Sequence, residues 1–136
     1  MNGALGILGL KEKEDANSIY FLIEKGLPKS AFLKAKKTTG LSNQVLAEIL
    51  SVSAKTIEKK KASDRFDDTA SERLYRLAEV IALGQEALGD GETFKEWLHR
   101  PLPPLDGHKP LEMMKNTIGL ELVKEILGRI KHGVYS

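Results

Sequence analysis

Residues 42–62 read SNQVLAEILSVSAKTIEKKKA, and this stretch decides the fold of the first half of the chain. Ser42 and Ser53 are of the residue type that caps helix N-termini, and each stands directly before a segment rich in helix formers. The first segment carries its apolar residues on one helical face, whereas the second has Ile57 as its only large apolar residue and is otherwise polar and basic. Two short helices joined by a tight turn, the second of them basic, predict a helix-turn-helix.

The spacing of the small and apolar residues supports this interpretation. Ala47 is small where the two helices would cross, Val52 is apolar in the turn, and Ile57 follows as the core anchor of the second helix. Ser51 departs from the usual pattern, because many helix-turn-helix turns have glycine at this position, where the backbone favours positive φ. We therefore expect a positive φ at Ser51 and a distorted turn. The alternative is an αα-hairpin whose lysine face is merely solvated.

The outer side of the second helix is the candidate DNA-binding surface. Lysine contacts phosphates or guanine edges as a point charge, and hydroxyl groups bond to the DNA backbone or to bases. The helix has no Arg, Asn or Gln, the usual bidentate readers of bases, so the pattern favours general DNA affinity over strong sequence-specific recognition. The predicted DNA-binding residues are Ser53, Lys55, Thr56, Lys59 and Lys60.

The charge of the chain is concentrated in the same region. The whole chain has a formal net charge of +2. Residues 28–61 contain eight lysines and two glutamates, which gives +6 for this segment and leaves −4 for the rest. A basic segment on a mildly acidic body indicates a surface that binds a polyanion.

The rest of the sequence predicts further helices and no confident strand, so the fold class is all-α. The helix that begins at Asp67 and ends at Gly89 has apolar residues on two sides, which predicts a central element buried on both. A proline-rich connector, residues 100–110, is expected to pack through Leu102 and Leu105. The other helices are expected at 15–25, 28–39, from Asp90 or Glu92 to near His99, at 110–116, and from about Ile118 to Lys131 with Thr117 as its cap.

The sequence divides into three parts. Residues 1–14 show no helical period and are expected to be loose or disordered. Residues 15–66 form the predicted helix-turn-helix domain, and residues 67–136 form a second helical domain. The chain has no cysteine, no apolar run long enough to span a membrane and no signal-peptide pattern, so we expect a cytoplasmic protein without a membrane partner.

Candidate residues for metal binding or catalysis do not form recognisable patterns. His99, His108 and His132 are widely spaced and follow no ligand motif. We find no Gly-rich phosphate loop and no nucleophile–base arrangement of known spacing. We therefore expect neither an enzyme nor a resident metal or cofactor.

Three segments of the second half resemble a known family, the Xre/MbcA/ParS-type antitoxins that partner RES-domain toxins. The resemblance extends over about residues 30 to 136, and the segments that carry it are RLYRLAEVIALGQEALGD (73–90), FKEWLHRPLPPLDGHKPLEMMKNTIG (94–119) and ELVKEILGRIKHGVYS (121–136). It implies an Xre-like helix-turn-helix domain that represses its own operon, followed by a small helical toxin-binding domain. It also implies a homodimer, and a cognate toxin that consumes NAD and whose active site the antitoxin blocks.

The end of the chain, LGRIKHGVYS, is the segment we expect to enter the toxin. Gly133 lets the chain leave the helix at positive φ, Val134 and Tyr135 supply apolar and aromatic contact area, and the carboxylate of Ser136 is expected to meet arginines that otherwise hold the phosphates of a dinucleotide. The predicted toxin-binding residues are Arg129, Lys131, His132, Gly133, Val134, Tyr135 and Ser136.

Two alternatives remain open at this stage. Tyr135 can instead fold back onto its own helix as a C-terminal lock. The chain can also be a stand-alone helix-turn-helix regulator whose C-terminal helices serve only dimerisation.

Overall fold

A computed structural model of the chain describes residues 3–89 and 91–133. Within these ranges the regular structure is helical apart from one isolated β-bridge between Pro28 and Arg65, which confirms the all-α class. The α-helices are α1 (Ala4–Ile7), α2 (Ala16–Lys25), α3 (Lys29–Thr39), α4 (Asn43–Leu50), α5 (Ala54–Lys59), α6 (Asp68–Leu88), α7 (Gly91–Trp97), α8 (Pro110–Met113) and α9 (Thr117–Lys131).

Helix α6 is the central element, as its two apolar stripes predict. It packs against α1, α2, α3 and α4 from the first half and against α7 and α9 from the second. Leu77 and Ile81 on one stripe and Val80 on the other are buried. Arg73 strengthens the junction, because its Nη1 donates to the carbonyl of Ile49 at 3.1 Å and to the carbonyl of Lys115 at 3.0 Å. The two halves of the chain therefore share one core helix.

Helix α9 lies beside α6 and runs parallel to it. The Lys124 ammonium lies 3.6 Å from a carboxylate oxygen of Glu79, and the Lys131 ammonium lies 2.8 Å from one of Glu86. Both ion pairs join residues separated by the same distance along the chain, so the two helices run in the same direction in one register. Apolar residues of α9 such as Val123 fill the seam between them. This packing fixes which side of α9 faces solvent.

Residues 3–14, the described part of the N-terminal segment, are ordered and correct the expectation that this segment is loose. Helix α1 packs against α6, and Leu5 and Leu8 are each only 1% exposed. The backbone N–H of Leu5 also donates to the Glu14 carboxylate at 2.6 Å. One turn of helix is too short to produce a helical period in the sequence, so the pattern did not reveal this segment.

Helix ends follow the capping residues that the sequence offers. Ser42 and Ser53 accept hydrogen bonds from the backbone N–H groups of Val45 and Thr56, as predicted. Helix α9 differs from the expectation, because its cap is Asn116 and not Thr117. The side chain of Asn116 accepts from the N–H of Gly119 at 2.9 Å, and Thr117 is the first helical residue.

The proline-rich connector between α7 and α8 is well packed. Leu102 and Leu105 are buried, which confirms their predicted role. The connector closes on itself through the Leu102 N–H, which donates to the His108 carbonyl at 3.1 Å. Trp97 is buried as well, so it is a packing residue and offers no exposed surface.

Candidate functional site

The helix-turn-helix consists of α4, the turn at 51–53 and α5. Ala47 and Ile57 are buried, as the predicted crossing of the two helices requires. Ser51 adopts the left-handed conformation with φ 62°, which confirms the expected positive φ. The turn is nevertheless regular and not distorted, because the N–H of Val52 donates to the Ala47 carbonyl at 3.0 Å and that of Ser51 to the Glu48 carbonyl at 3.3 Å.

The exposed face of α5 holds most of the predicted DNA-binding residues. Lys55, Thr56 and Lys59 are exposed. Lys55 and Lys59 are each two residues from the buried Ile57 and so lie opposite it, and Thr56 lies to the side of them. The Ser53 hydroxyl caps the helix and lies 2.8 Å from the Thr56 hydroxyl, so these two hydroxyls hold each other in place at the start of α5. This arrangement presents two cations and two hydroxyls toward solvent, a combination suited to phosphate contacts.

Lys60 is separated from this face. It follows the end of α5, is half-buried, and donates from Nζ to the Arg65 carbonyl at 2.9 Å. The same ammonium lies 5.3 Å from the centroid of the Phe66 ring, within cation–π range. Its backbone carbonyl accepts from the Lys29 ammonium at 2.8 Å. The contacts of Lys60 therefore stabilise the loop at residues 61–65 instead of presenting its ammonium beside Lys55 and Lys59.

The lysines of the basic segment lie in several different surroundings. Lys34 and Lys37 of α3 line a groove of ≈ 300 Å³ together with Gly6 and Gly9 of the N-terminal segment. Lys36 donates to the Asn43 side chain at 2.8 Å. The lysines of α3 thus lie in surroundings different from those of the two lysines of α5.

The end of α9 presents part of the predicted toxin-binding set to solvent. Arg129 is exposed and lies 3.7 Å from the Glu125 carboxylate, and His132 is exposed one turn later. Lys131 lies on the opposite side of the helix, where it contacts Glu86 of α6. Gly133 has φ 70°, which confirms the predicted positive φ. The predicted residues Val134, Tyr135 and Ser136 lie outside the described residues.

Two exposed apolar surfaces were not predicted from the sequence. On α9, Ile118 is 74% exposed and Leu122 is 39% exposed. On α2, Tyr20 and Phe21 are exposed, and their rings meet edge to face with centroids 5.1 Å apart. An amphipathic pattern shows that a helix has an apolar side. Which apolar residues remain exposed to solvent depends on where the neighbouring helices pack.

The described groups with shifted pKa values lie in contacts between or at the ends of helices. Burial, together with the negative charges of Glu79 and Glu14, raises the pKa of Tyr75 to about 12. A hydrogen bond from the Lys109 backbone N–H lowers the pKa of Glu112 at the start of α8. Among the described residues, no group of His, Asp or Glu is arranged to hold a metal ion. None of the helices in the described ranges is long and apolar enough to cross a membrane.

Two family models match the chain in succession. The model described as the antitoxin Xre-like helix-turn-helix domain matches residues 19–79, and the model described as the antitoxin Xre/MbcA/ParS C-terminal toxin-binding domain matches residues 83–133. Together the two matches account for most of the chain, and they meet within α6.

Three individual proteins that are similar to this chain are also named as antitoxins. The "Prs ADP-ribosylating antitoxin" of Sphingobium sp. (strain YBL2) is 26% identical over 85% of this chain and 79% of its own length. An "Antitoxin Xre" of Pseudomonas putida is 32% identical, but over only 46% of this chain and 40% of its own length. An "Antitoxin Xre" of Yersinia enterocolitica is 28% identical over 66% of this chain and 64% of its own.

One solved structure has a similar fold. A chain of the M. tuberculosis MbcT–MbcA toxin–antitoxin complex superimposes with a TM-score of 0.61 over 79% of this chain and 96% of the matched chain. At 20% sequence identity this likeness concerns the fold alone.

Proposed function

The chain belongs to the Xre/MbcA/ParS family of antitoxins with a helix-turn-helix domain, and from this premise we propose that it neutralises a cognate RES-domain toxin by occluding the site at which that toxin consumes NAD. In this proposal the antitoxin acts by binding and performs no catalysis of its own. The α9 helix delivers the segment that follows it into the toxin.

The observation that carries the proposal is the geometry at the end of α9. Its pairing with α6 through Lys131 and Glu86 holds the helix end in a fixed direction. Arg129 and His132 project away from that contact, and Gly133 turns the chain out of the helical path. A segment presented by a fixed helix loses less conformational entropy on binding than a free peptide does.

The chemistry of the tail residues suits a concave polar pocket. Tyr135 combines a large, stiff ring with a hydroxyl that can bond at the bottom of the pocket. Burial of Val134 adds about 1.5–3 kcal/mol if it is complete. Arg129 and His132 then form the rim of the contact, where they can pair with acidic or polar groups of the toxin.

The test uses the product of the adjacent gene as the toxin. Full-length antitoxin and a chain that ends at Gly133 are each co-purified with the toxin, and NAD consumption by the toxin is measured. The shortened chain is expected to lose inhibition while its helix content and DNA binding stay unchanged. Full inhibition by the shortened chain would contradict the plug, and Tyr135 folded back onto α9 would then be the better explanation.

The second part of the proposal concerns DNA. We propose that the α5 face of Lys55, Thr56 and Lys59, capped by Ser53, binds operator DNA and so represses the chain's own operon. The exposure of both lysines opposite the buried Ile57 supports this role. A stand-alone regulator would bind DNA equally well, so co-purification with the product of the adjacent gene distinguishes the two functions.

We also propose that the chain forms a homodimer, because of the way this motif binds DNA. A single helix-turn-helix covers one half-site, and two-fold operators require a two-fold protein. The exposed Tyr20 and Phe21 of α2 are the candidate contact, because exposed aromatic residues often serve as anchors in interfaces. Sedimentation of a Tyr20→Ser, Phe21→Ser variant tests this: a dimer that persists at wild-type strength would place the contact elsewhere.

A further inference from the structure

The second half of α3 forms a groove together with the N-terminal segment and α6. Its volume is ≈ 300 Å³, at the lower end of the range of small-molecule sites. One wall is formed by residues 6, 7 and 9, which precede the ranges that the two family models match, so the family resemblance implies nothing about it. We name this feature the α3 groove, and its lining includes Gly6, Gly9, Lys34, Lys37, Thr38 and Gln85.

The charge of its lining distinguishes the α3 groove from other grooves of the molecule. It contains the ammonium groups of Lys34 and Lys37 and no carboxylate. Four other grooves on the described part of the chain each have at least one glutamate in their lining. Neither lysine forms an ion pair with a described residue. Two cations in a concave surface without a carboxylate favour an anion as the occupant.

Gly9 allows one of these lysines to lie against the wall of the groove. Its φ is 72°, and a Cβ at this position would lie 2.5 Å from Cε and 2.6 Å from Cδ of Lys34. A larger residue would therefore displace the lysine, whereas glycine leaves room for its aliphatic part beside the N-terminal segment. A side chain that is already packed loses less conformational entropy when its ammonium binds a ligand.

The groove offers three groups that can donate hydrogen bonds to an anion. They are the two ammonium groups and the side-chain amide of the half-buried Gln85. The hydroxyl of Thr38 donates to the Lys34 carbonyl at 2.9 Å, so its proton is already used within α3. Phosphate oxygens accept several charge-assisted hydrogen bonds, and lysine binds phosphate as a point charge.

We propose that the α3 groove binds a small molecule through a phosphate or diphosphate group. This site is separate from the α5 face and from the end of α9, so it does not depend on the proposed function. Duplex DNA is another source of phosphate groups. It would contact only the rim of a groove of this size, however, whereas a free phosphorylated molecule can enter it.

The test uses pyrophosphate as the probe and the full chain. Calorimetric titration is expected to show binding, and pyrophosphate is expected to raise the melting temperature of the wild-type chain. Lys34→Ala with Lys37→Ala should raise Kd at least about 10-fold, because it removes two charge-assisted contacts. Gln85→Leu leaves the net charge unchanged and should raise Kd about threefold or more.

A matched double substitution separates the site from the effect of net charge. Lys55→Ala with Lys59→Ala removes the same charge from α5 and is expected to change Kd by less than about twofold. Equal weakening by both double-lysine variants would indicate an adventitious ion only, held by overall charge, and would overturn the site.

Three further results would also overturn the proposal. The first is a wild-type chain that does not bind pyrophosphate. The second is a wild-type Kd for either groove variant. The third is a flattened salt dependence of DNA binding in the Lys34→Ala, Lys37→Ala variant, because the two lysines would then contact DNA instead of a free phosphate group.

Discussion

Removal of the two α5 lysines is expected to change the salt dependence of DNA binding by an amount that can be calculated. Lys55 and Lys59 are exposed on one face, and neither forms an ion pair with a described residue. Each lysine–phosphate contact contributes about 0.9 to the slope of log K against log salt concentration. Replacement of both by alanine should therefore flatten the slope by about 1.8 per protomer and by about 3.6 for a dimer on a two-fold site.

The change in slope translates into a large difference in affinity. Between 50 and 200 mM salt, the wild-type affinity is expected to fall about 12-fold further per protomer than the affinity of the Lys55→Ala, Lys59→Ala variant. The assay is fluorescence anisotropy with a labelled duplex from upstream of the chain's own gene, repeated at several salt concentrations. A random duplex of equal length reports the non-specific part of the binding.

A matched pair of substitutions controls for net charge. Lys34→Ala with Lys37→Ala removes the same charge from the groove beside Gly6 and Gly9, and we expect it to leave the slope nearly unchanged. A wild-type slope for the α5 variant would show that the α5 lysines do not contact phosphates. Equal flattening by both variants would show that overall charge, and not the helix-turn-helix face, determines binding. Either result refutes the reasoning.

Three further predictions concern the fold. Leu5→Ala should lower the free energy of unfolding in urea by about 2–4 kcal/mol, whereas Leu33→Ala, at a leucine 43% exposed, should cost under about 1 kcal/mol; equal effects would mean that the N-terminal segment is loose. Ser51→Gly should raise the free energy of unfolding by about 0.5–1 kcal/mol, since it relieves a left-handed serine, and a decrease would contradict this. The pKa of Tyr75 is raised to about 12, so the stability that this shift contributes is complete below pH 10 and is lost as pH rises toward 12. Tyr75→Phe should therefore reduce the loss of stability at alkaline pH, measured by thermal melts at several pH values. An identical loss in both proteins would count against the raised pKa.

Local signals in the sequence were sufficient for most helix boundaries. Caps at Ser42 and Ser53 and the left-handed glycine at Gly40 are set by residues within one helical turn, so they can be recognised without knowledge of the tertiary fold. The central position of α6 was also predictable, because two apolar stripes on one helix require neighbours on two sides.

Features that depend on distant contacts could not be predicted. The half-burial of Lys60 depends on the fold of the loop to Phe66, and the position of Lys131 depends on the register between α6 and α9. The same register leaves Ile118 in solvent, although isoleucine is most often a buried residue type. The order of the N-terminal segment depends on a surface of α6 that only the folded chain creates.

The contacts of Arg73 on helix α6 couple the stability of the two halves of the chain. Its guanidinium holds a carbonyl at the end of the first helix of the DNA-binding motif and a carbonyl just before the helix that leads to the tail. Unfolding of either half would expose part of the buried face of α6 to water and break one of these two hydrogen bonds. The whole chain should therefore unfold in a single thermal transition. Capture of the C-terminal half by a partner must then raise the melting temperature of the DNA-binding half as well.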